Sequence, residues 1–237
     1  MTRLSSAPAI ERETRQYKYL DLLINIFVVV LIVSNLIAPK FVPLGSWLVF
    51  SAAELLFPIT YIFGDIFTEV YGYSASRRAI WTGFLGSIIL TAFGLLAIWL
   101  PPAADFHDQK AFETVFGVVP RNLAASLIAY CAGEFANSLT VAKMKLWTNG
   151  KYLWTRTVGS TIVGQSVDTT IVVVIIFWGR PPEIMFRLIV SAYLFKVVYE
   201  VLATPLTYIV VNALKRAEGV DYFDRHTNFN PFALKKA

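Results

Sequence analysis

The chain has 237 residues, 56% of them hydrophobic and only 16% charged, with a formal net charge of +5. Soluble domains run nearer one quarter charged, so a water-soluble globular domain is excluded. The lone Cys131 excludes an intramolecular disulfide, and two histidines, His107 and His226, leave too few ligands for a transition-metal centre.

Residues 1–18 mix charges of both signs and read as a retained N-terminal tail, because the apolar run that follows is too long for a signal-peptide core. Six apolar stretches then have the length needed to cross a hydrocarbon core about 30 Å thick. They are 19–38, 47–70, 79–100, 123–142, 158–178 and 184–214. Prolines 39, 43, 101, 102, 120, 181 and 182 fall at or near their junctions, where helices stop or start. The expected architecture is all-α and integral to the membrane: an 18-residue tail, a six-helix transmembrane domain over 19–214, and a polar C-terminal tail over 215–237. The connection over 101–122 is either a loop or carries a short interfacial helix near 112–116.

Basic residues orient the six spans. With the N-terminus inside, fifteen Lys and Arg fall on inner segments and five on outer ones, with Lys196 left inside the last span. The positive-inside rule then selects N-in, C-in. The same asymmetry accounts for the positive net charge through anionic lipid, with no nucleic acid required.

The second span ends in FPITYIFGDIFTEVYGYSASRR (57–78), with Asp65 and Glu69 four residues apart on one helical face. Counted from Trp47 at 1.5 Å per residue, Asp65 lies about 27 Å down the axis, close to the inner boundary. The pair reads either as lining a path, or as interfacial carboxylates held by Arg77 and Arg78. Nearer the middle of their spans lie Glu134 and Asn137, Gln165 and Asp168, and Lys196 and Glu200. A charge at that depth costs about 2.5–3.5 kcal/mol on insertion scales, so these residues point to a solute site. Two have plainer readings. Lys196 and Glu200 are spaced to neutralise each other, and Asn137 with Ser138 and Thr140 suits interhelical hydrogen bonding. Tyr61-x-x-Gly64-Asp65 is echoed by Tyr130-x-x-Gly133-Glu134. Gly83, Gly86 and Gly94 would permit close packing, and a homodimer is expected on that ground. No phosphate-binding loop, His-Glu-x-x-His helix or intramembrane nucleophile pair is found, so the expectation is a non-enzyme without cofactor.

Three blocks resemble the queuosine precursor transporters, also called the vitamin uptake transporter family: 57–84, 133–156 (GEFANSLTVAKMKLWTNGKYLWTR) and 159–169 (GSTIVGQSVDT). The resemblance implies import of 7-deazaguanines such as preQ0 or preQ1 across the bacterial inner membrane, for salvage into tRNA queuosine. It also implies a six-helix fold like the substrate-binding subunits of energy-coupling-factor vitamin importers. The alternatives are such a subunit working with a separate ATPase module, or an intramembrane enzyme. On this reading Glu134 and Asp168 read the base edge and Gln165 and Asn137 its carbonyl. Asp65 and Glu69 line the path or gate it, with Tyr61, Lys196, Glu200, Arg77 and Arg78 around them. Tyr61, Phe63, Tyr130 and Trp147 are the aromatic faces near these residues in sequence.

Overall fold

The computed structural model describes residues 17–37, 40–44, 48–117, 120–176, 178–225 and 227–232. The expected tail up to residue 16, His226 and the last five residues lie outside the described residues. The helices are α1 (Leu20–Ile37), α2 (Phe57–Ile66), α3 (Tyr73–Trp99), α4 (Gln109–Phe116), α5 (Pro120–Trp147), α6 (Leu153–Ile176) and α7 (Pro182–Glu218). Strands β1 (Phe41–Leu44) and β2 (Leu48–Ser51) form an antiparallel hairpin with Phe41 opposite Ser51. Four helices, α1, α3, α6 and α7, are long and apolar enough to cross a membrane. Helix α5 is as long, at 28 residues, but Glu134, Asn137 and its basic end dilute its apolar character.

The second expected span is the main departure. It is not one helix from Trp47. The hairpin leads into a 3-10 turn (Ala52–Leu55), then the ten-residue α2, then a wide π turn (Phe67–Tyr71). Pro58 in the first turn of α2 supplies no N–H and so suits a helix start there rather than a helix interior. At the far end Gly72, at φ 88°, reverses the chain into α3.

Contacts between ends show the chain crossing back and forth. The N–H groups of Lys18 and Tyr19, at the start of α1, donate to the Glu218 carboxylate at the end of α7 (3.0 and 2.8 Å). At the opposite end Ser34 donates to the Ala53 carbonyl, placing the 3-10 turn beside the finish of α1. There α4 also packs, with the Phe116 ring against Gly94 of α3. The 101–122 connection therefore does carry a short helix.

Inside a bilayer apolar burial gives little net driving force between helices, so close approach and interhelical hydrogen bonds hold the bundle. Gly83 receives Leu31 and Phe27 of α1, and Gly86 receives Val28 and Ile32. The glycines on which a homodimer was expected are thus filled from within the chain. Asn35 donates to Ser87 (3.1 Å) across α1 and α3, and Ser76 with Ser138 joins α3 to α5. Phe27, the eighth residue of the 18-residue α1, stacks edge-on to Phe63 and Phe67 at 6.1 and 5.7 Å. Those rings flank Asp65, so Asp65 sits near mid-height of α1 and not at its inner boundary. The depth estimate from Trp47 fails because the chain enters through a hairpin and a 3-10 turn, leaving only nine helical residues up to Asp65.

Residues 219–225 and 227–232 run as a strap across the end that carries both described termini. Gly219, in the left-handed region at φ 63°, ends α7. The Tyr222 ring covers Gly72 and the Phe223 ring covers Gly150. Asp224 accepts from the Tyr73 N–H at the start of α3 (3.1 and 3.2 Å) and from Thr227 (2.7 Å). Arg77 donates to the carbonyls of Asn228 and Asn230, Tyr73 to that of Phe229, and Trp81 to that of Pro231. Replacing Asp224 by Ala removes a helix-start acceptor worth about 1 kcal/mol. In detergent it should lower the thermal midpoint by a few degrees and expose the strap to limited proteolysis.

Candidate functional site

Helix α6 sets the levels of the interior. One face carries Arg156, Ser160, Gly164 and Asp168, each four residues apart, over a rise of about 18 Å. Each level meets a different partner from α2, the π turn, α5 or α7. Arg156 meets Glu69, Ser160 meets Asp65, Gly164 meets Tyr61 and Asn137, and Asp168 meets Lys196.

The lowest level is an ion knot built around the fully buried Glu69. Arg156 donates through Nε and Nη2 to the two oxygens of Glu69, at 2.9 and 2.8 Å. Lys215 of α7 adds a contact at 2.6 Å, and Lys145 of α5 lies 3.4 Å away. Lys145 also donates to the Glu69 carbonyl (2.6 Å), a backbone acceptor within the π turn, and to Asp221 of the strap (2.7 Å). Glu69 is therefore held by Arg156 and two lysines, and not by Arg77 and Arg78. Gly72 turns α3 away from the knot, so Arg77 reaches the strap carbonyls and Arg78 pairs with the exposed Asp21. Asp221 lies outside the spans. Burial pushes its carboxyl up, but Lys145 and Lys215 outweigh burial and hold it below its ordinary value.

Above the knot the polar groups change character. Asp65 accepts from Asn137 Nδ2 (2.8 Å) and Ser160 (3.1 Å) on one oxygen, and its other oxygen has no partner. Both oxygens of Glu134, both of Glu200, Asn137 Oδ1, Gln165 Oε1, Thr161 Oγ1 and Tyr61 OH are also buried without a hydrogen-bond partner. Native interiors pair nearly all such groups. An unpaired buried polar group costs about 1–3 kcal/mol, and more when charged, so this concentration sets these residues apart as the candidate site.

Small residues make the cluster dense. A Cβ on Gly133 would sit 2.5 Å from Tyr61 OH and 2.7 Å from the Asp168 Cβ, and one on Gly64 would sit 2.6 Å from Glu134 Oε2. The two echoed segments thus pack against each other. Tyr61 fills the space over Gly133, and Glu134 fills the space over Gly64. The spacing carried this signal, since a Tyr and an acid flanking each glycine can exchange places across a helix pair.

The expected site residues of the middle layer are buried together in the interior. Glu134, Asn137, Gln165, Asp168, Asp65, Tyr61 and Glu200 are each no more than 2% exposed. Lys196 donates to Asp168 (2.8 Å) rather than neutralising Glu200, because α7 turns its ammonium toward α6. Tyr61 and Tyr130 are buried beside the cluster, whereas Trp147 is 76% exposed and takes no part. The partners of Glu69 were absent from the expected site. The fourfold spacing back from Asp168 along α6 reaches Arg156, but Lys145 and Lys215 carry no such signal. A separate cavity of about 300 Å³, lined by Ala97, Leu100, Pro101, Phe106 and Phe112 among others, lies between α3 and α4 and is mainly apolar.

The family described as "Putative vitamin uptake transporter" matches residues 51–210, about two thirds of the chain. The "Probable queuosine precursor transporter" of Bacillus subtilis (strain 168) is 32% identical over 149 residues. That match takes in 61% of this chain and 64% of the relative, so the chain spans just under two thirds of the relative's length. No solved structure matches.

Two measurements test the knot. Arg156→Ala leaves Glu69 short of its two-pronged partner and should cost about 3 kcal/mol of stability, read as loss of folded protein in detergent. Lys at the same position should recover only part, since an ammonium cannot span both oxygens. Asp221 gives the pH dependence. Its folded carboxyl lies below its unfolded value, so its contribution is present above about pH 4 and is lost as the pH falls further. The difference in thermal midpoint between wild type and Asp221→Asn should hold from pH 8 to 5 and close under stronger acid.

Proposed function

We propose that this chain, which belongs to the vitamin uptake transporter family, imports a queuosine precursor of the 7-deazaguanine class, preQ0 or preQ1. The family supports a transporter, and the relative's name supports the substrate. One observation carries the reading to residues. Four elements, α2, α5, α6 and α7, each deliver buried side-chain oxygens without a partner to the interior above the ion knot.

A deazaguanine matches that chemistry. Its N1–H and exocyclic amine form a donor edge, which a carboxylate accepts at both points, as Glu134 can. Its carbonyl accepts from an amide, for which Gln165 and Asn137 are placed. Tyr61 offers a ring face, held by its seat over Gly133. Asp168, paired with Lys196, is an orienting group on this reading. Asp65 positions Asn137, since it already accepts that amide's Nδ2.

The setting is the bacterial inner membrane, crossed six times with both termini in the cytoplasm. The second crossing consists of the hairpin, 3-10 turn, α2 and π turn in series. The ion knot and the strap then close the cytoplasmic end beneath the site. Release inward requires that end to open, and the π turn is the element whose hydrogen bonding is least regular.

Cells unable to make queuosine, supplied with preQ1, provide the assay, read as queuosine in tRNA. Glu134→Gln and Gln165→Ala should each cut salvage at least about tenfold at equal membrane abundance. Gly133→Ala should do the same by displacing Tyr61. Undiminished salvage in Glu134→Gln and Gln165→Ala together would refute this placement of the site.

A further inference from the structure

We infer that the site selects a ligand bearing a positive charge, and that Glu200 is the residue that reads it. The inference rests on the binding reading above and goes beyond it by choosing among ligands that share one ring.

The first ground is the inventory of charge. Asp65, Glu134, Asp168 and Glu200 enter the cluster, and Glu54 lies close enough to feel Lys196 and Asp168. The lysine that meets this layer, Lys196, is committed to Asp168 at 2.8 Å. Arg156, Lys145 and Lys215 bind Glu69 and Asp221 at the strap end. Buried carboxylates without cations are costly, and a binding cation relieves that cost where a neutral ligand does not.

The second ground is direction. Glu134 and Asn137 share the surface of Gly64, and Tyr61 packs on Gly133 and Gly164, so α2, α5 and α6 surround the ring-binding groups. Glu200 comes from α7, which packs on α2 and α6. It is 1% exposed, and neither oxygen has a hydrogen-bond partner. The unpartnered Tyr61 OH, Asn137 Oδ1 and Gln165 Oε1 already offer a neutral heterocycle enough polar contacts. A further two-oxygen acceptor, supplied by a fourth helix, suits an aliphatic ammonium with its three donors. The ligand is therefore a planar base with a short cationic arm directed at α7.

The test is binding to the purified full-length chain in detergent, by calorimetry. The two ligands share the deazaguanine ring and differ in the arm: the aminomethyl cation of preQ1 against the neutral nitrile of preQ0. Wild type should bind the cationic ligand at least about tenfold more tightly, and in Glu200→Gln the two affinities should converge. Equal affinities in wild type overturn the inference, whether or not the variant folds. A preference that survives in a folded Glu200→Gln overturns the assignment to Glu200. Binding of neither ligand overturns the underlying function instead, so the two failures are distinguishable.

Discussion

The bundle depends on the carboxylate of Glu69. It is fully buried, and its partners come from three other helices: Lys145 from α5, Arg156 from α6 and Lys215 from α7. A lone anion there would be untenable, and three cations gathered without it would repel one another. The knot therefore sets the rotation of each helix about its axis. Once Arg156 is aimed at Glu69, the fourfold spacing along α6 aims Ser160 at Asp65 and Asp168 at the middle layer. The strap joins the same network through Asp221, so closure of that end and alignment of the interior share one set of charges.

Close approach is the second constraint. Helices in a membrane gain from contact rather than from expelling water, and the two Tyr-x-x-Gly-acid segments exploit this in both directions. Each glycine accepts a polar side chain of the other helix, so the segments pack most tightly where their polar atoms are densest. A Cβ at Gly133 or Gly64 would separate the helices and disperse the acceptors. The tightness of packing and the density of open polar oxygens thus have one cause. It also separates the two acidic populations: Glu69 is saturated with cations, whereas Glu134 and Glu200 keep open oxygens.

Much of the fold was legible from hydropathy alone, because long apolar runs have few other uses. The expected stretches 19–38, 158–178 and 184–214 overlap α1, α6 and α7, with ends displaced by several residues at most. The second stretch misled because β-hairpin, 3-10 turn and helix share the same apolar composition there, and only pairing geometry separates them. That error shifted Asp65 toward the boundary in the depth estimate, while its true level follows from Phe63 and Phe67 packing on Phe27. The homodimer argument failed for a related reason. Glycines mark close contacts, but composition does not say with what.

Acid spacing, basic asymmetry and the GDxxTEVYG string needed no structure, because period, charge count and residue identity are properties of the chain itself. They were enough for a membrane transporter family and for carboxylates in the spans. Partner choice was decided in three dimensions. Lys196 is one helical turn from Glu200, yet it binds Asp168, 28 positions away. Glu69 is eight and nine residues from Arg77 and Arg78, yet Arg156, 87 positions away, holds it. Sequence distance ranks the partners a side chain could reach locally. In a bundle, the rotation of each helix decides which charge it meets, and that rotation is set by the whole set of contacts at once.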